Sequence, residues 1–190
     1  LHGSLKGANW DGTLGTLTLA PQGMPEWRLQ QSAALRYRDG AMALSELCLS
    51  AGDPHVCVAA SRDKGGNLDA SYRLRELPLA LLMSASGNAD LPLRAEGTLD
   101  GNGKIRRTAA GALSGNADIS SASGSVAYTD RSEQPLLRYD QLRVAATLSP
   151  ASQRVDIHSV RDDNGRLDGQ ITLTGTQQAL AGQIDLKLNN

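Results

Sequence analysis

The side chains able to do chemistry in this chain are few and scattered. Two cysteines, Cys48 and Cys57, and three histidines, His2, His55 and His158, supply all the thiols and imidazoles of 190 residues. The cysteines are not in a CxxC pair, and His55 is a single imidazole beside a turn, so the spacing of a structural metal site is missing. His2 and His158 have no partner at motif spacing, and no GxSxG elbow, HExxH helix, Walker loop or dinucleotide fingerprint occurs. The runs Asp100-Gly101-Asn102-Gly103 and Asp162-Asp163-Asn164-Gly165 lack the alternating ligands and terminal Glu of a calcium loop. Turn geometry accounts for such Asp-Gly and Asn-Gly steps. The expectation is a protein that is not an enzyme and holds neither cofactor nor metal.

The cysteines have a structural reading. Asp39-Gly40 lies between alternating apolar runs, a strong hairpin signal because both central residues of the turn need positive φ. Centring that turn pairs Tyr37 with Met42 and Leu35 with Leu44. The next turn, Gly52-Asp53-Pro54, sets Cys48 opposite Cys57, and opposed antiparallel residues have Cα atoms about 4.5–5.5 Å apart, within disulfide range. The geometry predicts a cross-strand disulfide, two ordinary buried thiols being the alternative. If oxidised, it stabilises by roughly 2–3 kcal/mol for so short a loop and implies an extracytoplasmic compartment.

The elements around this hairpin are strands. Residues 1–20 read as two short strands joined around Trp10-Asp11-Gly12. From 27 to 37 the odd positions share a face, and Leu47, Leu49, Val56 and Val58 lie opposite the cysteines. After a strand over 68–74, residues 76–83 (ELPLALLM) read as one or two helical turns capping a sheet end, or else as a buried strand. Gly87-Asn88 then breaks the chain. From Leu91 onward the text alternates between turn signals, each strand having one apolar and one polar face. The organisation is a single segment, 1–190, with a disulfide-hairpin portion (1–83) and a meander portion (89–190). Gly-x-Leu or Gly-x-Ile steps recur at Gly97, Gly111, Gly165, Gly169 and Gly182, suggesting kinked or curved strands.

Bulk properties set further limits. A net charge of −1 with scattered Lys and Arg excludes a strongly basic nucleic-acid surface. No apolar stretch approaches the ~20 residues of a membrane-spanning helix. The opening residues do not read as a signal peptide, and the chain starts and stops within strand-like text, so the expectation is a piece of something longer. Phe is absent and aromatics are 3%, so Leu carries most of the large apolar surface, either from high-GC coding or for want of a shape-specific core. A sheet of about ten strands at ~4.8 Å spacing would extend ~45–50 Å. With so little helix to cover it, the Leu-rich face either closes on itself as a sandwich or barrel or lines a trough for an apolar guest. An acyl chain would suit, at ~0.8 kcal/mol per buried methylene.

Trp10-Asp11-Gly12-Thr13-Leu14, Trp27-Arg28-Leu29, Cys48-Leu49 with Val56-Cys57, Leu77-Pro78-Leu79 and Gly97-Thr98-Leu99-Asp100-Gly101 together resemble the TamB family. The paired-cysteine hairpin after a Trp-x-Leu strand is the most specific part. These are the inner-membrane-anchored components of the Gram-negative translocation and assembly module, grouped with AsmA-like and bridge-like lipid-transfer proteins. The resemblance covers most of the chain, as an interior segment. It implies an all-β fold: a curved, mainly antiparallel sheet folded into a hydrophobic groove, a β-taco, with at most one short helix near 76–83. It further implies a periplasmic location, phospholipid acyl chains as cargo moving toward the outer membrane, and partnership of the full-length protein with the barrel TamA. An older reading of the family is assistance to autotransporters and outer-membrane proteins, here through β-augmentation of exposed strand edges; a closed structural spacer is a third reading. Strand parity assigns the groove to Leu91, Leu93, Leu99, Leu113, Ile119, Val126, Leu142, Val144, Leu148, Ile157, Ile171, Leu173, Ile184 and Leu186.

Overall fold

The computed structural model describes residues 2–21, 25–85, 92–129, 135–161, 165–176 and 179–189. The chain starts with strands β1 (His2–Lys6), β2 (Asn9–Leu14), β3 (Thr18–Leu19), β4 (Trp27–Leu29) and β5 (Ala33–Arg38). Three longer strands follow, β6 (Ala41–Ser50), β7 (His55–Arg62) and β8 (Leu68–Pro78), then helix α1 (Leu79–Ala85). Beyond it come β9 (Leu93–Arg107), β10 (Leu113–Ser121), β11 (Gly124–Tyr128) and β12 (Leu137–Tyr139). The last four are β13 (Gln141–Leu148), β14 (Ser152–Val160), β15 (Arg166–Thr176) and β16 (Ala179–Asn189).

All these strands join one sheet in the order β1-β2-β5-β6-β7-β8-β9-β10-β13-β14-β15-β16. β4 is added beside β6 with β3 outside it, and β11 pairs both β9 and β12. The expected ten or so strands become sixteen. The sheet is open, because among the described residues β1 pairs only β2 and β16 only β15. A barrel closed by strand pairing is thereby ruled out among the described residues, and the antiparallel all-β reading holds.

The chain divides into two compact units: Leu1–Arg75 with Asn102–Gly115, and Glu76–Gly101 with Asn116–Asn190. In the first, the hairpin registers are those the turns dictate. Asp39 and Gly40 both have positive φ, and Tyr37 pairs Met42 and Leu35 pairs Leu44. Cys48 pairs Cys57 at a Cα separation of 4.1 Å with the sulfurs at disulfide distance. A bulge between Leu44 and Leu47 lets β6 keep its Leu side chains on one face along its length.

Three boundaries differ from the sequence reading. The first reversal is not at Trp10-Asp11-Gly12, which lies inside β2; Gly7, at φ +61°, makes the turn. The indole of Trp10 instead lies over Gly3 and Gly12, where a Cβ would collide with it. Asp100-Gly101-Asn102-Gly103 is likewise no turn, because β9 runs straight through it. A Cβ at Gly101 would come within 2.8 Å of the Asp118 carbonyl oxygen, so glycine there serves close strand approach. Lastly, Glu76–Pro78 completes β8 and the helix starts only at Leu79. Pro78 disfavours helical geometry for Leu77 before it, and Leu77 is buried.

The expected breaks at Gly87-Asn88 and at Asp162-Asp163-Asn164, and groove position Leu91, lie outside the described residues. Across the second of these gaps the Arg161 N–H donates to the Gly165 carbonyl at 2.8 Å.

Candidate functional site: an apolar sheet face

Alternation sorts each unit into an apolar and a polar face. In the second unit the strand registers form continuous rows. Val144 pairs Ile157, Val155 pairs Ile171, and Ile171 pairs Ile184. Gln153 pairs both Leu148 and Leu173, and Gly169 pairs both Ile157 and Leu186. Leu142 follows on the same side of β13. Eight of the expected positions, Leu142, Val144, Leu148, Ile157, Ile171, Leu173, Ile184 and Leu186, therefore share one face.

Ile119 joins them through its neighbour. Asp118 ion-pairs Arg143 at 2.8 Å, which puts those two on the polar face and Ile119 on the other. The open side of Gly101 meets the Ile119 side chain, so Leu99 and Leu93, at even spacing on β9, are on that face too. Val126 pairs Ala95 and completes the set. The Leu79 side chain of α1 approaches Gly97 on this side, as a helical cap would. Leu113 belongs to the first unit and shares the parity of Ala117 and Ile119 along β10.

Burial along the face is uneven. Leu99 is 4% exposed, whereas Ile184, Leu186 and Leu188 on the last strand are 65%, 61% and 67% exposed. The first unit has its own apolar face, which carries Leu5, Tyr37, Met42, Val58, Leu68 and Ile105, all exposed. Among the described residues, every large apolar side chain that lies in a strand and is exposed is on the apolar face. Isolated exposed Leu needs no explanation, but a contiguous set does.

Glycines on this face make room for large neighbours. The Leu186 side chain lies over Gly169 and that of Leu173 over Gly182. The Gly-x-Ile steps are thus sites where a Leu from the next strand covers bare backbone.

The opposite face of each unit is polar and carries ion pairs. Arg38 pairs Asp11, Arg73 pairs Glu46, Arg106 pairs Asp69 and Arg154 pairs Asp156. Arg154 also holds the Asp156 carboxylate below its ordinary range, with Gln170 adding a hydrogen bond. Two depressions open on this face. One, of about 470 Å³, is floored by Ala and Ser of β5 to β8 and flanked by Arg36, Lys104 and Arg106. The other, of about 660 Å³, is flanked by Arg143, His158, Asp168 and Lys187. They arise where short side chains sit between rows of long charged ones.

Sequence reasoning missed one pair here: His158 opposes Asp168, with Nδ1 2.6 Å from Oδ1. Centring the Asp162–Asn164 turn signal would have found it. Cys48 and Cys57 are also on the polar side, near Glu46. Their sulfurs face each other and the Glu46 carboxylate is taken by Arg73, so the trio offers a metal ion little.

A family model described as TamB, N-terminal domain, matches residues 1–190. The chain belongs to the TamB family. No curated protein and no solved structure matches it. TamB membership associates the chain with the cell envelope and, in general terms, with the TamA-linked assembly module. No helix among the described residues is long and apolar enough to cross a membrane.

Proposed function

We propose that this TamB-family chain is a periplasmic, non-enzymatic lipid carrier. Phospholipid acyl chains would lie on its apolar face while passing between inner and outer membrane. The observation that carries the reading is the gathering of exposed Leu, Ile, Val and Met on one face of an open sheet, with the ion pairs on the other. Each methylene removed from water there contributes about 0.8 kcal/mol. Aliphatic side chains offer no polar contact to fix one position, so cargo slides. The Cys48–Cys57 pair fits an oxidising compartment, and an inner-membrane anchor and TamA contact would belong to other parts of the full-length protein.

The test is mass spectrometry of the chain after periplasm-directed expression, native and after organic extraction. Near-stoichiometric phospholipid or fatty acid is the expected result. A clean mass that persists after added lipid would end the proposal.

A second reading has its own observation. β16 is eleven residues long, its outer edge is unpaired among the described residues, and its Ile184, Leu186 and Leu188 side chains are exposed. Such an edge can accept an unfolded outer-membrane strand by β-augmentation. On that reading, strand-forming peptides displace bound lipid.

A further inference from the structure

The apolar face of the first unit is not uniformly apolar. Of the charged side chains in its strands, all but two are on the polar face: Arg62 at the end of β7 and Arg107 at the end of β9. Both are exposed, and neither has an ion-pair partner among the described residues. They lie at the same end of the sheet. The Arg62 guanidinium is 3.9 Å from the open side of Gly66, whose other neighbour is the Ala109 methyl just beyond Arg107.

The registers put the two arginines into one cross-strand row. Trp10 pairs Tyr37, Tyr37 pairs Met42, Met42 pairs Arg62 and Arg62 pairs Leu68. The Arg106–Asp69 ion pair and the Ala109 N–H donated to Asn67 then bracket Leu68 against Arg107. With Leu5 paired to Trp10, this last row reads Leu, Trp, Tyr, Met, Arg, Leu, Arg, whereas the row inside it holds Leu35, Leu44, Ala60 and Ala70. Trp, Tyr and Arg are the side chains that favour a boundary between hydrocarbon and water.

We propose that this row is a headgroup rim, in which Arg62 and Arg107 hold the phosphate of a glycerophospholipid whose acyl chains lie on the apolar face beyond. Two strand spacings separate the arginines by about 10 Å at the backbone, within the joint reach of two long side chains, and guanidinium forks match phosphate oxygens. The inference rests on the acyl-chain reading and adds a polar contact where cargo pauses with its headgroup held.

The test compares two lipids with identical chains. The full chain is equilibrated with detergent micelles containing either dioleoyl phosphatidylglycerol or dioleoylglycerol, and adducts are counted by native mass spectrometry. Wild type should take the phospholipid about tenfold in preference, the order expected for charge-assisted hydrogen bonds at an exposed site. Arg62→Gln with Arg107→Gln should bring both lipids to the dioleoylglycerol level with an unchanged melting temperature. Arg106→Gln, on the polar face next door, should change nothing. Equal uptake by wild type, a preference surviving in the double variant, or an Arg106→Gln loss as large as that of Arg107→Gln overturns the rim while leaving the apolar-face reading intact. Binding of neither lipid overturns that reading as well. Sodium phosphate binding at the two arginines as tightly as the lipid would make them a free-anion site and remove the lipid from the assignment. The single variants Arg62→Gln and Arg107→Gln repeat the comparison should the double variant not fold.

Discussion

Glycine is used in two ways at the level of single residues, and the two predict different mutational costs. The open side of Gly101 faces backbone, the Asp118 carbonyl oxygen at 2.8 Å, with Ile119 at 3.3 Å. Backbone in a paired strand has nowhere to go, so Gly101→Ala should destabilise by about 1–3 kcal/mol in urea unfolding, as overpacking does. The open side of Gly169 faces instead the tip of the Leu186 side chain at 2.8 Å. That side chain is 61% exposed and can rotate away, so Gly169→Ala should stay within about 0.5 kcal/mol. Equal costs would contradict the contact geometry. The glycines stood out in the sequence as a loose repeat. Which atoms they admit was not legible, because that depends on the register of the neighbouring strand.

Two local devices hold the strands of the first unit. The Cys48–Cys57 link closes a loop of sequence separation 9, and Cys48→Ser with Cys57→Ser should lower unfolding stability by about 2–3 kcal/mol. Reducing agent should destabilise wild type comparably and leave the variant unchanged. The β7–β8 turn carries the second device. Asn67 donates its side-chain amide to Asp63 at 2.7 Å and its backbone N–H at 2.9 Å. These bonds hold the Asp63 carboxyl below its ordinary value, the side-chain bond contributing most. Since the folded-state value lies below the unfolded one, the stabilisation is present above the ordinary carboxylate range and fades as pH falls through the lowered value. Carboxyl-carbon NMR titration should show Asp63 low in wild type and moved upward in Asn67→Ala. The Asp39-Gly40 hairpin and the cysteine pairing were readable in advance because such a turn sets its own register. The branch pairings β4–β6 and β9–β11 were not, since neither joins consecutive strands.

At the scale of the whole molecule the decisive property is an open sheet in which each unit has its charged pairs on one face and exposed apolar side chains on the other. A charge placed on the apolar face should therefore repel cargo without unfolding the chain. Val144 and Ile171 are both only partly buried, so Val144→Arg or Ile171→Glu should leave the circular dichroism spectrum and cooperative unfolding in place. Co-purified lipid and transport should be lost. Unfolding of both variants, or normal lipid content in both, would count against the face as the carrier surface.

Alternation alone determined the all-β class and the sidedness of Leu142, Val144, Ile157, Ile171, Ile184 and their companions. Side chains along a strand point to opposite faces with period two, a property of the backbone that needs no knowledge of the partner strand. Tertiary structure decided what parity cannot express. Asp39-Gly40 and Asp100-Gly101 look alike in one dimension, yet the first turns the chain and the second runs on as strand, because glycine permits both a positive φ and a close neighbour. Leu99 and Leu186 share a side, yet one is 4% and the other 61% exposed. A side chain's face is set by its own strand, whereas its contact with water is set by the elements that pack around it.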